Sequence, residues 1–140
     1  LYFERFAGVR RFLDATIALA KKQGYVETLF GRRRYIPELK DPNYSVRAFG
    51  ERTAMNSPIQ GSAADLIKVA MVGLHRALAE ARLSSVILLQ VHDELLIEAP
   101  VGEVERAKGI VRRQMEGAAQ LSVPLVVDVG IGPNWLDAKR

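Results

Sequence analysis

Apolar residues recur at helical spacing over three parts of the chain. Over residues 1–24 they return at steps of three and four, with arginines and lysines between them, and the same spacing runs through residues 63–81 and 104–118. Such stripes are typical of amphipathic helices that bury one face. Gly24 predicts the end of the first helix, because glycine readily adopts the left-handed conformation found at helix C-termini.

The long middle helix has a start signal of its own. Pro58 suits the first position of a helix, and Ser57 and Gln60 stand at capping-box spacing around it. We therefore expect this helix to begin at Ser57, with a separate short helix over residues 45–55.

Shorter runs predict strands. Two β-prone runs within residues 25–39 predict a hairpin that carries three adjacent arginines. Residues 86–91 and 95–98 lie too close together to form anything but an antiparallel hairpin, and residues 123–131 alternate as a half-buried strand does. The chain is therefore predicted to be α+β, with an antiparallel sheet packed against long helices.

Composition narrows the class of protein. The 140 residues suffice for one domain, and 49% of them are apolar, which excludes a disordered segment. A net charge of +4 mildly favours polyanionic partners, and the lack of cysteine excludes disulfides and thiolate metal sites. No stretch has the pattern of a leader or a membrane span, so a soluble intracellular protein is expected. Leu1 already lies inside a helical pattern, which suggests a piece of a longer chain.

The segment LLQVHDELLIE, residues 88–98, interrupts an apolar run with His92, Asp93 and Glu94. On one interpretation the two carboxylates are simply turn residues in water, where aspartate is favoured. On the other, a rigid hairpin tip holds carboxylate oxygens toward a hard cation such as Mg²⁺, which usually takes one or two protein carboxylates together with phosphate oxygens. Asp-Gly or Asn-Gly would serve a tight turn better than His-Asp-Glu, which favours the second interpretation.

Four ordered blocks carry a resemblance to a known family. They are TLFGRRRYIPEL, ERTAMNSPIQGSAADLIKVAM, LLQVHDELLIEAP and VPLVVDVGIGPNW. In this order and spacing they closely resemble the C-terminal end of family A DNA polymerases of the bacterial DNA polymerase I type, over essentially the whole chain. The resemblance implies a single C-terminal fragment, residues 1–140, of the polymerase domain. Within it, residues 1–44 would be a fingers-side helix and basic hairpin, and residues 45–140 would be palm with a metal-binding hairpin.

The resemblance also assigns roles in catalysis. Asp93 is implied to be a metal-binding aspartate and Glu94 its acidic neighbour, with Mg²⁺ as the ion. Catalysis of this kind uses two metal ions, and one hairpin cannot complete such a site, because bridging two ions normally needs a carboxylate from another segment.

A second set of matched residues is implied to contact DNA. Minor-groove acceptors of purines and pyrimidines are nearly equivalent, so donors placed there can test base-pair shape without reading sequence. The residues implied to approach the primer-template in this groove are Arg52, Asn56, Gln60 and His92. Three further residues, implied to lie near the nucleotide and primer, could bind phosphates: Arg32, Arg33 and Arg34.

Each DNA-contact assignment has a structural alternative. Gln60 can be interpreted as a capping side chain, Asn56 as a turn residue that breaks the helix, and His92 as a structural histidine. The three adjacent arginines would then be a solvated basic tip. Arg52, Asn56 and Gln60 share one face only if the helix is continuous, and Pro58 argues against that continuity.

The resemblance implies part of a DNA-directed DNA polymerase that adds deoxynucleotides to a primer 3′ end in replication or repair. Primer-template DNA and deoxynucleoside triphosphates would be its partners, with no membrane, a cytoplasmic location and a monomeric intact enzyme. This sequence lacks the family's block with the other metal-binding aspartate and its fingers helix, so the fragment alone is expected to be inactive. Two alternatives stay open: a non-catalytic DNA-binding remnant, and part of a phage or plasmid replicative polymerase.

Overall fold

The computed structural model describes residues 2–139. The chain divides into two compact units, Leu1–Asp65 and Leu66–Arg140. The α+β class is confirmed, with 59% helix and two separate two-stranded antiparallel sheets in the part described. In chain order the elements are α1 (Tyr2–Arg5), α2 (Ala7–Gln23), β1 (Tyr25–Glu27), β2 (Arg33–Tyr35), α3 (Tyr44–Glu80), β3 (Val86–Val91), β4 (Glu94–Glu98), α4 (Val104–Glu116) and α5 (Trp135–Ala138), with short 3₁₀ helices at Pro37–Lys40 and Val101–Glu103.

The first unit has a small core shared by α2, the β1–β2 hairpin and the start of α3. Its buried side chains are Ala20, Val26, Ile36, Leu39 and Ala54. Helix α2 ends as predicted at Gly24, which has φ +84 and donates its N–H to the Ala20 carbonyl. The single helix predicted over residues 1–24 is interrupted at Phe6, where ψ is 54. The aromatic side chains before the break are exposed, so no core holds that part of the stripe in register.

The β1–β2 hairpin forms where the two β-prone runs predicted it. The strands pair antiparallel, with Tyr25 opposite Tyr35 and Glu27 opposite Arg33. The two tyrosine rings lie 5.4 Å apart between centroids, a cross-strand contact that stabilises a short sheet. The connecting loop, residues 28–32, includes Gly31 at φ +80, a conformation that glycine adopts without strain.

Helix α3 runs unbroken through Pro58. The prediction of a short helix followed by a capped start at Ser57 was wrong, because Tyr44–Glu80 is one helix of 37 residues. Proline in a helix interior removes a backbone hydrogen bond and costs about 3 kcal/mol, which is why the sequence favoured a break. Ser57 and Ser62, on either side of this proline, are only 7% and 9% exposed, so packing holds the turn in helical form.

The second unit packs the C-terminal part of α3, helix α4 and the β3–β4 hairpin around one core. The two predicted helical stripes supply its buried side chains, which are Leu74, Leu78, Ala107, Ile110 and Val111. Ile87, Leu95 and Ile97 of the hairpin pack against this cluster. Burial of one face of the hairpin therefore fixes the strands that carry the His-Asp-Glu turn.

Strand β3 contains one residue more than β4 needs for pairing. Val91 pairs with Glu94 next to the turn, Leu89 with Leu96, and Ile87 with Ile97, so the extra residue is Leu88. Such a β-bulge bends the strand and increases its local twist.

Residues 123–131 do not form the predicted strand. The alternation itself is present, because Leu125, Val127 and Val129 are half-buried between exposed neighbours. A strand also needs a neighbouring backbone, and the Val127 N–H donates instead to Oε1 of Glu116 at 3.2 Å. The segment therefore forms no β-ladder in the part of the protein that the structure describes.

Candidate functional site

The tip of the β3–β4 hairpin is a two-residue turn. His92 and Asp93 form the turn, and Glu94 begins β4, one residue earlier than predicted. All three side chains are exposed, whereas the strands on either side are anchored in the core of the second unit. The hairpin therefore presents two adjacent carboxylates to solvent on a rigid support.

His92 has a backbone φ of +55, a conformation uncommon for residues other than glycine. The side chain of Gln90 donates to the His92 carbonyl and helps to hold this turn. The first turn position is one where glycine is favoured in several hairpin turns. Retaining a bulky residue there costs about 1–2 kcal/mol, and such outliers concentrate at functional sites.

Glu94 forms an ion pair that the sequence did not predict. Nζ of Lys139, directly after α5, lies 3.0 Å from Oε1 of Glu94. Helix α5 packs so closely on the preceding segment that a Cβ at Gly130 would lie 1.7 Å from the Ala138 carbonyl oxygen. Gly132 also lies close to α5, since a Cβ there would be 2.6 Å from the Ala138 nitrogen.

The tip has the chemistry of part of a metal site. Mg²⁺ is a hard cation that binds oxygen ligands, and a protein usually supplies only one or two carboxylates to it. Asp93 and Glu94 fit that donor set. Within residues 2–139 there is no group of three or more His, Asp and Glu side chains close enough to enclose an ion. Further ligands would have to come from the substrate or from another segment of a longer polypeptide.

On α3, Arg52, Asn56 and Gln60 are all exposed at steps of four. Because the helix is continuous, these three side chains share one face. The capping interpretation of Gln60 and the helix-breaking interpretation of Asn56 are both wrong, since each residue lies inside the helix. The face offers a guanidinium and two amides, all of them hydrogen-bond donors.

The three adjacent arginines have different surroundings. Arg32 lies in the loop and its Nε is 2.9 Å from Oδ1 of Asp65 on α3. Arg33 donates to Glu27 at 2.8 Å and stacks 4.5 Å from the centroid of the Tyr25 ring. The hydrogen bond to Glu27 raises the pKa of the Arg33 guanidinium above its ordinary value. Arg34 makes no ion pair within residues 2–139, so it is the most available of the three.

A small cleft brings Gln60 beside these arginines. It lies between the hairpin and α3 in the first unit, and its lining includes Thr28, Arg32, Arg33, Arg34 and Gln60. The structure thus gathers four of the predicted DNA-contact residues, Arg32, Arg33, Arg34 and Gln60, around one cleft. The acidic tip belongs to the second unit.

The comparisons with known proteins agree with one another. The family described as DNA polymerase family A matches residues 1–137. The chain is 57% identical over 134 residues to DNA polymerase I of Mycobacterium tuberculosis, covering 96% of the chain and 15% of that protein. It is 54% identical over 138 residues to DNA polymerase I of Geobacillus stearothermophilus, covering 99% of the chain and 16% of that protein.

A solved structure shows the same fold. It is the POL domain of Pol1 from M. smegmatis in complex with DNA primer-template and dNTP, with a TM-score of 0.97 and 52% sequence identity. The match covers 99% of this chain and 24% of that one. The chain spans about a sixth of the length of the two curated relatives named above.

Proposed function

The chain belongs to DNA polymerase family A, and we propose that it is the C-terminal part of a DNA-directed DNA polymerase that adds deoxynucleotides to a primer 3′ end. The observation that carries this proposal is the exposed acidic turn at Asp93 and Glu94, held at a strained His92 on an anchored hairpin. The bound DNA and dNTP of the similar mycobacterial structure support it.

The acidic turn would hold metal in the complete enzyme. Asp93 is the proposed direct ligand, and Glu94, balanced by Lys139, adds negative charge beside it. Mg²⁺ bound there would stabilise the ionised 3′ hydroxyl and the charge that develops on the phosphates. The strands themselves supply position, because the core fixes the hairpin before substrate arrives.

The exposed face of α3 would contact the primer-template. Arg52, Asn56 and Gln60, with His92 of the hairpin, supply donors to the minor groove near the growing end. Purine N3 and pyrimidine O2 acceptors occupy similar places in every correct base pair, so the contacts are independent of sequence. Such contacts let a copying enzyme accept all four pairs and reject a distorted one.

The basic hairpin would add phosphate contacts. Arg34 has no intramolecular ion pair among the described residues, while Arg32 and Arg33 remain about half exposed (53% and 52%) alongside theirs. Phosphate contacts of this kind position DNA without reading sequence. The same proposal includes deoxynucleoside triphosphates as substrates, a role in replication or repair, a cytoplasmic location and a monomeric enzyme.

The central test is Asp93→Ala in the full polymerase that contains this chain. Turnover should fall about 10³-fold, a loss comparable to that of a charge-stabilising group in other active sites, whereas the Kd for primer-template should change less than about threefold because Asp93 contributes no phosphate contact. Single-turnover incorporation and DNA-binding titrations at fixed salt measure the two effects.

Asp128→Ala is the matched control, since it removes another exposed aspartate of the second unit. Its turnover should equal that of the unchanged enzyme. An Asp93→Ala enzyme with normal turnover would exclude the metal role. DNA binding without any Mg²⁺-dependent incorporation by the unchanged protein would favour a non-catalytic remnant instead.

A further inference from the structure

The loop at the tip of the β1–β2 hairpin is bonded to the part of α3 around Gln60. The loop comprises residues 28–32, and we call it the brace; the turn of α3 with Gln60 at its centre comprises residues 58–62. All of these residues belong to the first unit. The contacts between them are not part of the DNA-contact role proposed above.

A hydroxyl links the brace to the turn. The Leu29 N–H donates to Oγ of Ser62 at 2.8 Å, and the same hydroxyl donates to the Pro58 carbonyl at 2.5 Å. Ser62 is 9% exposed, so water competes little for these bonds. The hydroxyl therefore connects the loop backbone to the first residue of the turn.

Arg32 makes a second link. Its Nε lies 2.9 Å from Oδ1 of Asp65, whose side chain is only 12% exposed, and its Nη2 donates to the Gly61 carbonyl at 3.4 Å. One guanidinium thus contacts both the residue after Gln60 and the following turn of the helix. Because the carboxylate is mostly desolvated, this ion pair is screened less than a surface pair would be.

The brace also approaches the helix very closely. A Cβ at Gly61 would lie 2.7 Å from Cγ2 of Thr28, so a larger residue there would force the Thr28 side chain to shift. The brace holds its own shape, since Thr28 Oγ1 accepts from the backbone N–H groups of Phe30 and Arg32, each at 3.2 Å. A loop with a fixed shape can hold the helix in place, whereas a flexible loop would simply move with the helix.

Pro58 explains why this turn benefits from outside support. It has no N–H to donate to the carbonyl four residues earlier, so α3 lacks one ladder bond immediately before Gln60. Helices bend most readily at such positions. A small bend here would move the Gln60 amide relative to Arg52 and Asn56 on the same face.

We propose that Ser62 and Arg32 are positioning residues, through which the brace sets the direction of the Gln60 side chain toward the primer-template minor groove. The inference rests on the proposed function, because Gln60 needs a DNA acceptor to act on. It adds a structural reason why the Gln60 amide would point in a fixed direction, namely that the hairpin and the helix form a single rigid support next to Pro58.

The experiment uses the full polymerase that contains this chain and two primers that differ in one atom. One primer ends in a natural purine, and the other ends in its 3-deaza analogue, in which carbon replaces the N3 acceptor. The ratio of the two extension rates reports the minor-groove hydrogen bond. Any general loss of DNA affinity, including loss of a phosphate contact by Arg32, affects both primers and cancels in this ratio.

The unchanged enzyme should extend the natural primer about five- to tenfold faster, the usual value of one such hydrogen bond. Gln60→Ala should reduce the ratio to near one. Ser62→Ala and Arg32→Ala should reduce it to within about twofold of one although Gln60 is intact, and Ser62→Thr, which keeps the hydroxyl, should restore it.

Lys21→Ala is the matched control. It removes an ion pair from α2 to Glu51, which also lies on α3 but nine residues before Gln60, and its ratio should equal that of the unchanged enzyme. If Gln60→Ala abolishes the preference while Ser62→Ala and Arg32→Ala keep it, the brace has no positioning role. A lowered ratio in Lys21→Ala would equally overturn the inference, because any loss of stability would then suffice. If the unchanged enzyme shows no preference, or Gln60→Ala keeps it, the DNA contact of Gln60 fails and the brace fails with it.

Discussion

At the scale of single residues, two non-glycine positions have the same left-handed backbone and different surroundings. His92 and Arg82 both have φ +55. Arg82 follows α3, where its N–H donates to the Ala79 carbonyl as in an ordinary helix end. His92 lies at the acidic turn. The same strain therefore has a local structural reason at one position and a proposed functional reason at the other.

The pair provides a test of that difference. Replacing either residue by glycine should change the free energy of unfolding by no more than about 1 kcal/mol, and toward greater stability, because relief of strain exceeds the entropy cost. Only His92→Gly should slow primer extension, by about tenfold for one lost hydrogen bond. Chemical denaturation and single-turnover kinetics on both variants measure this. Equal extension rates in the two variants would remove His92 from the proposed site.

Much of the residue-scale site could be predicted, for an identifiable reason. His92, Asp93 and Glu94 stand out because ionisable residues interrupt an apolar run, and a hairpin turn is the only place for them. The Lys139–Glu94 pair could not be predicted, because it depends on how α5 folds back across residues 130–132. The ion-pair partners of Arg32 and Arg33 likewise depend on strand register and loop shape, so they could not be predicted from a run of adjacent arginines.

At the scale of elements, Glu103 ties the start of β3 to the start of α4. Its carboxylate accepts from the N–H groups of Ser84 and Ser85 and from the Ser85 hydroxyl, at 2.8–3.0 Å. The hydrogen bond from the Ser84 N–H, followed by that from the Ser85 hydroxyl, lowers the pKa of Glu103 below its ordinary value near 4.5. The charged form is therefore the one that the fold stabilises.

The pH dependence follows from the lowered pKa. Since the folded pKa lies below the unfolded one, the contribution of Glu103 is fully present above about pH 4.5 and is lost as the pH falls through the folded pKa. Glu103→Gln should lower the melting temperature at pH 7, and this difference should shrink as the pH falls below 4.5. Glu105→Gln, two residues away, is the matched control, because no hydrogen bond joins Glu105 to Ser84 or Ser85 among the described residues. A pH-independent difference for Glu103→Gln would contradict the assignment.

Two glycines should respond oppositely to the same substitution. Gly130→Ala places a Cβ against the Ala138 carbonyl oxygen and should destabilise by about 1–3 kcal/mol while separating Lys139 from Glu94. Gly109→Ala, inside α4 with no atom within 4 Å of the new Cβ, should stabilise by about 0.5–1 kcal/mol. Chemical denaturation of both variants tests the signs. A neutral Gly130→Ala would show that α5 does not pack here.

Element boundaries were predictable where local signals and packing agreed. Gly24 ended α2, and two β-prone runs gave the first hairpin. The prediction of a helix break at Pro58 was wrong because tertiary contacts outweighed the local cost of the proline. The prediction of a strand over residues 123–131 was wrong because an alternating pattern indicates which side chains are buried but not whether a neighbouring strand is present to pair with. Asn43, whose Oδ1 accepts from the Ser45 N–H at 2.8 Å, was the start signal of α3 that should have outweighed Ser57.

At the scale of the molecule, the described surface includes an open groove in the second unit, whose lining mixes apolar side chains with His75, Arg76 and Gln90. It is lined by Met71, Val72, Ile87, Leu88 and Leu89 among others, and Val72, Leu88 and Leu89 are each more than 40% exposed. Within residues 2–139 no helix meets the length and apolarity needed to cross a bilayer.

The acidic tip of the β3–β4 hairpin predicts how the 140 residues behave alone. The tip offers one pair of carboxylates, and residues 2–139 contain no larger group of possible metal ligands. The isolated chain should therefore incorporate no nucleotide above background in the presence of Mg²⁺. A primer-extension assay at micromolar protein measures this, with the full polymerase as the positive control. Mg²⁺-dependent incorporation that Asp93→Ala abolishes would prove the fragment sufficient.

The bulge at Leu88 has a consequence for how the gene can change length. Because β3 carries one unpaired residue, loss of codon 88 would leave Ile87 opposite Ile97 and Val91 opposite Glu94, and would only straighten the strand. Loss of a codon from β4 would double the mismatch and turn apolar side chains to the wrong face. Among deletions of a single codon within β3 and β4, we therefore expect loss of codon 88 to be tolerated during evolution and loss of a β4 codon to be eliminated.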